Sequence, residues 1–570
     1  MVAQHPNVCS RLGSVPPSQL ALVEVPYALE PDDQAEDTNH GEVFTRRWVV
    51  DLILDLAGYT ADRDLVATTA VEPACGAGAF VIPMAERLIA SCATHGRHIS
   101  DAMDSLLAFD LQEANVLASR LAVKKLLIAN GLTAKAAQRL AGGWITHSDF
   151  LLVDHSGRSA DFVLGNPPYV RLEDVPAARS SAYRQVCKTM RGRSDLYVGF
   201  LETGLKILAP NGVLSFIVAD RWMRNQYGKH LRELITSEYS MEVVLAMHDV
   251  DVFEASVSAY PAVTVIKRSQ QGPAVVAETT AGFGNDDARE LRNWYGRSRK
   301  KPLRRAAIEA ATIDSWFEGE GSWPIGASHD LALIAELESR LPSLEDPLLG
   351  TRVGIGIASG ADDVFITRDA AIVEDDRLLP LVMAKDIASG TLKWSGRYLV
   401  NPWSDGKLVE LDGFPRLNDY YESHRDRIER RHVAQKNNAR WYRTIDRVEP
   451  GLRERPKLLL PDIKARIHPV LDEGEHYPHH NLYFVTAKDW PIESLGGLLL
   501  SDIANLFVGL YCVKMRGGCY RFQAQYLRKI RVPRLEQLSV KDLAQLADVF
   551  RSRDTDEASK VARRLYGVDS

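Results

Sequence analysis

The sequence predicts an α/β protein built on a parallel or mixed sheet, followed by a second folded region of different texture. Three observations carry this expectation. Short apolar runs alternate with stretches of helical periodicity across residues 45–267. A Gly-x-Gly turn, Gly76-Ala77-Gly78, joins the first apolar strand to the next helix. Past Lys267 the apolar runs become shorter and less regular, and cations gather around aromatic residues.

Composition narrows the class. The chain has 570 residues, 45% hydrophobic and 25% charged, which is ordinary for a globular protein with two or three domains. A formal net charge of −6 excludes a uniformly basic nucleic-acid binder but leaves room for a locally basic groove. The six cysteines form no Cys-x-x-Cys pair, and no His is spaced to complete a zinc site, so a reducing cytoplasm and no metal are expected. Glu24 and Pro26 interrupt the only apolar stretch near the start, so no signal peptide is expected. The run Gly497–Val513 contains Asp502 and Asn505 and reads as a core helix, not a membrane span.

In chain order, residues 1–38 lack periodicity and read as a lead-in. Thr45 is placed to cap a helix whose stripe is Trp48, Val49, Leu52, Ile53 and Leu56. The strand ending at Glu72 then meets the Gly-x-Gly turn, where glycines let a ligand approach the backbone and the next helix offers free N–H groups. Cys75 between them reads as a small packed residue. The strand Leu106–Phe109 ends in Asp110, which suits either a ribose diol or a simple turn. Asp149, after Ile145–His147, suits either an adenine amino group covered by Phe150 or a helix cap.

The run Asp161–Gly165 reads as a buried strand that stops at Asn166-Pro167-Pro168-Tyr169. Two prolines cannot continue a ladder, and each disfavours helix in the residue before it. The chain leaves in a stiff, extended turn that fixes the Asn166 amide, the Pro167 carbonyl and the Tyr169 ring. That is a cradle for a flat ring with an exocyclic amino group; the alternative is a strand-ending turn with a half-buried Tyr. A basic stretch from Arg171 to Arg193, a helix from Asp195 to Leu208, strands at 213–218 and 243–245, and a last strand at Ala262–Ile266 complete this region. Residues 271–345 read as a connector, 346–535 as a second domain and 536–570 as a terminal helix. The segment Arg425–Lys457 interleaves cations with Trp441 and Tyr442; Arg431, Lys436, Arg440 and Arg443 are candidate DNA contacts, with Gln435, Asn437 and Asn438 near base edges. Interspersed acids keep a solvated helical face open as the other reading.

These pieces, in this order, resemble the gamma class of adenine-N6 DNA methyltransferases, the TaqI-like group of restriction–modification enzymes, over roughly residues 38–270. The resemblance implies a Rossmann-like class I S-adenosylmethionine-dependent methyltransferase domain at 39–270 and a mixed α/β target-recognition domain at 346–535. It implies that Gly41 to Thr45 forms a cofactor lid, with Arg46 where Pro is common. It assigns S-adenosylmethionine to Thr45, Glu72, Ala74, Gly76, Gly78, Asp110, Leu111, Asp149, Phe150, Asn166, Pro168 and Phe200, with Asp110 standing where Glu is more usual. It makes Asn166, Pro167 and Tyr169 catalytic, and it places Tyr169 and Phe253 against an extruded base.

The implied partners are double-stranded DNA and a separate cognate restriction endonuclease, with no membrane and a monomeric enzyme. Competing readings are a methyltransferase of the same fold acting on RNA or a protein glutamine, and a non-catalytic DNA-binding subunit.

Overall fold

The computed structural model describes residues 43–255, 260–314, 316–436, 440–515 and 518–568. Gly41 and Glu42 of the expected lid, Cys9, and Asn437 and Asn438 lie outside them. The chain divides into two compact units, residues 1–328 and 329–570.

In the first unit, helix α1 (Arg47–Ala57) buries Val49, Leu52, Ile53 and Leu56 of the stripe expected from the sequence, together with Val50, while Trp48 is only half-buried. Thr45 does not cap it: Arg46 occupies that position, and the Thr45 hydroxyl is buried without a partner. Strand β1 (Ala70–Glu72) is followed by α2 (Val81–His95), β2 (Leu106–Asp110), α3 (Glu113–Ala129), α4 (Ala134–Trp144), β3 (Ile145–His147) and β4 (Ala160–Gly165). Then come α5 (Ala177–Val186), α6 (Tyr197–Lys206) and β5 (Leu208–Ala219). The helix expected to reach Leu208 stops at Lys206, because Leu208 already pairs with Ala160 in the sheet. Helices α7 (Arg221–Arg224) and α8 (Lys229–Glu238) precede β6 (Ser240–Ala246) and β7 (Pro261–Lys267).

The expected connector is folded. Strand β8 (Ala274–Thr279), helix α9 (Asn285–Tyr295) and strands β9 (Leu303–Arg304) and β10 (Ile308–Ile313) extend the sheet, so β7 is not its last strand. Between β8 and β10 the chain carries Arg289, Arg292, Arg297, Arg299, Lys300, Lys301, Arg304 and Arg305, which disguise the region as linker. The ten strands lie in the order β3-β2-β1-β4-β5-β7-β6-β8-β10-β9. Strands β3, β2, β1, β4 and β5 are parallel, and β7 runs antiparallel to both neighbours. All of β1 and β2 is buried, as expected for parallel strands covered on both faces. Strand order reverses between β1 and β4, so the crevice past their C-terminal ends is where a ligand fits this sheet.

The second unit is mixed α/β. Strands Thr351–Ile355, Leu482–Ala487, Lys457–Pro461 and Val470–Asp472 form an antiparallel sheet in that order. A second four-stranded sheet joins Ile366–Thr367, Tyr398–Val400, Leu378–Val382 and Tyr477–Pro478. The expected single helix through Gly497–Val513 is two, Ile492–Leu500 and Asp502–Tyr511, bent by 65° where Ser501 caps the second. Among the described residues no single helix is long and apolar enough to cross a membrane. The tail is likewise two helices, Val540–Ser552 and Thr555–Tyr566, broken where Arg553 takes φ 61° and Asp554 caps the second. They belong to this unit's fold: the Ser494 hydroxyl donates to the Leu543 carbonyl at 2.8 Å.

Arg232 on α8 ties residues 320–323 into the first unit. Its buried guanidinium donates to the carbonyls of Trp222 (2.5 Å), Asn225 (2.9 Å), Glu320 (2.8 Å) and Gly321 (2.6 Å). Arg232→Met leaves these carbonyls without that donor and should destabilise the chain by about 3 kcal/mol. The check is the urea midpoint; an unchanged midpoint would refute the strut.

Candidate active site

Four strand ends meet at the β1–β4 crevice and carry the motifs singled out in the sequence. At the first, the Cys75 N–H donates to the Phe109 carbonyl at 2.8 Å, which folds the glycine turn over the end of β2. Gly76 and Gly78 have φ of 51° and 107°, and a Cβ on Gly78 would come within 2.8 Å of Ile82 Cδ1. Only glycine meets both demands. Asp110 clasps this turn: one carboxylate oxygen accepts the Gly76 N–H at 2.8 Å, and the other accepts the Gln112 N–H at 2.8 Å. Asn115 also donates to Oδ1 at 3.3 Å, so these bonds hold the turn and leave Oδ2 a lone pair for a further donor. Leu111, beside it, is half-buried, and its carbonyl accepts from His147 at 3.0 Å.

Glu72 is buried, and burial together with the nearby Asp110 charge holds its carboxyl well above the usual range. Its Oε2 has no partner. The Cys75 thiol is also buried and pushed up by burial, which keeps it protonated and a poor nucleophile.

At the end of β3, Asp149 Oδ1 accepts the Leu151 N–H at 3.0 Å and Oδ2 accepts the Tyr183 hydroxyl at 2.7 Å. The Phe150 ring stacks on Phe200 with centroids 5.7 Å apart and planes 17° apart, and packs on Phe109 at 5.5 Å. Phe150 is thus buried between these two rings, just past the end of β3. His155 donates from Nε2 to the Phe150 carbonyl at 2.8 Å, and burial depresses its imidazole to about 4.

At the end of β4, Asn166 Nδ2 donates to the Val43 carbonyl at 2.8 Å, while Oδ1 is buried with no partner. The Tyr169 hydroxyl donates to the Ile217 carbonyl at 3.2 Å, which leaves its ring edge-on to Phe253 at 5.7 Å. Thr45 and Phe253 form a backbone bridge, and the Arg46 N–H donates to the Val252 carbonyl at 3.0 Å. Asn166, Tyr169, Thr45 and Phe253, up to 208 positions apart in sequence, therefore stand in one cluster. Among the buried side-chain atoms here without partners are Thr45 Oγ1, Glu72 Oε2, Ser148 Oγ and Asn166 Oδ1. Such atoms at a crevice are free to bond a polar ligand.

Sequence reasoning missed three contributors. Tyr183 sits in the basic stretch with no motif around it. The Val43 carbonyl is a backbone group. The third is Tyr227: behind Tyr169 its hydroxyl lies 2.8 Å from that of Tyr197, on the helix expected there, and donates to Asp195 at 2.9 Å.

In the second unit the expected DNA contacts divide. Arg431 is buried: it donates to the carbonyls of Ile428 (2.9 Å), Ser359 (2.7 Å) and Trp441 (3.0 Å) and lies over the Phe365 ring. It is an internal strut, not a DNA contact. Lys436 and Arg440 are exposed, and Arg443 is half-buried beside Trp403. Asp362, His479 and His480 bring ligand-type atoms within 4.8 Å of one another, a grouping hidden because 117 positions separate Asp362 from His479. His479 Nε2 and Asp362 Oδ2 already bond each other at 3.0 Å.

A family model described as Eco57I restriction-modification methylase matches residues 111–253, which include Asp149, Asn166 and Phe253. The Type II methyltransferase M.PaeR7I of Pseudomonas aeruginosa is 42% identical over 533 residues, 93% of this chain and 92% of its own length. The chain belongs to the Type II restriction–modification methyltransferases. M.XhoI of Xanthomonas vasicola is 39% identical over 93% of this chain and 97% of its own length. Among solved structures, the Type IIL restriction-modification enzyme MmeI in complex with DNA superposes with a TM-score of 0.58 at 12% identity, over 91% of this chain and 74% of MmeI. For this Type II methyltransferase that is agreement in fold alone. The fold is that of class I S-adenosylmethionine-dependent methyltransferases.

Two outcomes test the geometry. Arg431→Met should lower the urea midpoint while leaving DNA affinity within about twofold, since an internal strut contributes no phosphate contact; a stable variant with weakened DNA binding would restore Arg431 to the DNA surface. His155 binds a proton near pH 6.5 when unfolded and near 4 when folded. Its contribution is complete above about pH 6.5 and is lost as pH falls toward 4. His155→Gln, which keeps an N–H donor, should lose less stability than the parent between pH 7 and 4.5; equal losses would remove His155 from the acid response.

Proposed function

We propose that the chain is a site-specific DNA methyltransferase that moves a methyl group from S-adenosylmethionine to N6 of an adenine extruded from duplex DNA. The observation that carries this reading is Asn166 Oδ1, a buried acceptor without a partner, aimed by the Asn166–Val43 bond and flanked by the Tyr169 and Phe253 rings. An adenine amino group offers the two hydrogens that this oxygen and the adjacent Pro167 carbonyl can accept. Accepting both draws the nitrogen out of conjugation and frees its lone pair. When bound, S-adenosylmethionine would supply an electrophilic sulfonium methyl group; as the N–CH3 bond forms the S–CH3 bond breaks, S-adenosylhomocysteine leaves, and the surplus N6 proton passes to solvent afterwards. Positioning and electrostatics carry the step, with no base needed before attack.

The Tyr169 ring stacks on the extruded base, offsetting unpairing with about 1–3 kcal/mol. The glycine turn, Glu72, Ala74 and Pro168 surround the methionine part of the cofactor, and Asp110 with Leu111 closes on the ribose. Asp149, Phe150 and Phe200 hold its adenine. Thr45 Oγ1, Glu72 Oε2 and Ser148 Oγ, buried and unpartnered, fit a polar ligand in this crevice. In this reading the first unit performs the transfer, the second reads DNA through exposed groups such as Lys436 and Arg440, and a monomer protects host DNA against a separate restriction endonuclease.

Asn166→Ala should lower transfer at least about 100-fold while S-adenosylmethionine affinity stays within about threefold. The assay is modification-sensitive long-read sequencing of DNA from a methylation-free host expressing either form. N6-methyladenine at one short motif, absent with the variant, supports the proposal. Methylated cytosine, or modification that survives in the variant, refutes it.

A further inference from the structure

We propose that Tyr183 is a positioning residue for cofactor recognition: its hydroxyl, bonded to Asp149 Oδ2, makes that carboxylate select a 6-amino purine over a 6-oxo purine. The inference rests on the reading that Asp149 faces the cofactor adenine. Tyr183 lies on α5, 34 positions beyond Asp149 and past the catalytic turn, and is only 3% exposed.

Asp149 has two donors. The Leu151 N–H at 3.0 Å comes from its own turn and is present wherever an Asp begins such a turn. The Tyr183 hydroxyl at 2.7 Å is the one supplied from elsewhere in the chain. Asp149 is half-buried, and the shielding of its carboxylate from water is the leading influence on it, raising it above the ordinary range. The Tyr183 hydroxyl opposes that most strongly, with Arg179 one turn earlier on α5 adding a weaker effect of the same sign. An ionised Asp149 only accepts hydrogen bonds and so matches a purine 6-amino group. A protonated Asp149 also donates and so tolerates a 6-oxo group. The hydroxyl therefore governs which purine edge the pocket accepts.

Rigid backing makes this placement dependable. The Lys188 and Thr189 N–H groups after α5 donate to the Glu202 carboxylate on α6 at 2.9 and 2.7 Å. A Cβ on Gly199 of α6 would fall 2.5 Å from the Met190 sulfur, so the two segments touch closely. The same helix α6 carries Phe200, the ring stacked on Phe150. Tyr183 and the Phe150–Phe200 pair are thus braced against each other through α6.

The test is equilibrium binding of S-adenosylhomocysteine and S-inosylhomocysteine to the full chain by calorimetry. The parent should prefer the adenosyl ligand at least tenfold. Tyr183→Phe should weaken adenosyl binding about tenfold and bring the preference to within threefold of unity. In an Asp149→Ala background, Tyr183→Phe should have no further effect. A Tyr183→Phe protein that melts like the parent and keeps its preference overturns the inference and leaves the cofactor reading intact. A parent that binds neither ligand overturns the cofactor reading itself. Should Tyr183→Phe not fold, Tyr183→His and Tyr183→Leu form a second pair, with and without a donor at this position. Preference that follows the donor supports the inference, and equal preference in the pair overturns it.

Discussion

Asn166 can hold an unpaired oxygen inside the protein because its amide nitrogen is fixed on the Val43 carbonyl. An amide with both ends free would rotate, and the oxygen would find a partner or water. That single bond makes the site depend on the segment before α1, and the segment is in turn held to residues 252–254. The Arg46 N–H reaches Val252, and the Glu254 N–H reaches the Phe44 carbonyl at 2.9 Å. The setting of Asn166 at the end of β4 is thus fixed by two segments outside the strand that carries the motif.

A second constraint follows from burying parallel strands on both faces. Such strands admit few polar side chains along their length, so polar chemistry is concentrated where each strand ends. Glu72, Asp110, Asp149 and Asn166 all stand at or just past a strand end. Three of them are carboxylic acids in a water-poor crevice, and the fold treats each differently. Asp110 is satisfied by backbone N–H groups, Asp149 by a turn and a tyrosine, and Glu72 is left with an open oxygen beside Asp110. Charge is supported where hydrogen-bond donors were built for it and discouraged where they were not.

The second unit shows how far composition misleads about cations. Its dense run of Arg and Lys includes one residue, Arg431, whose three nitrogens serve carbonyls of its own core. Lys457 is also wholly buried, paired with Asp472 and bonded to the carbonyls of Arg453 and Arg455 at 3.0 Å. Arg425 and Arg427 pair with Glu422, Glu429 and Asp363. A sequence window counts such charges equally, although a buried Arg and an exposed one differ in every donor they can offer a phosphate.

Local chemistry was legible without coordinates. The Pro167-Pro168 pair, the glycines of a left-handed turn and the apolar stripe of α1 act within a few residues, and backbone sterics or periodicity alone dictate them. The α/β class followed from the same short-range signals. The strands after Lys267 were missed because the stretch from Arg289 to Arg305 is dense in cations and reads as linker, and pairing with β6 and β10 is what makes β8 a strand. The partner of Asn166, the hydroxyl on Asp149, the burial of Arg431 and the meeting of Thr45 with Phe253 were decided by tertiary structure. Each joins atoms that no periodicity relates, and hydrogen bonding in a dry interior depends on position to within a few tenths of an ångström.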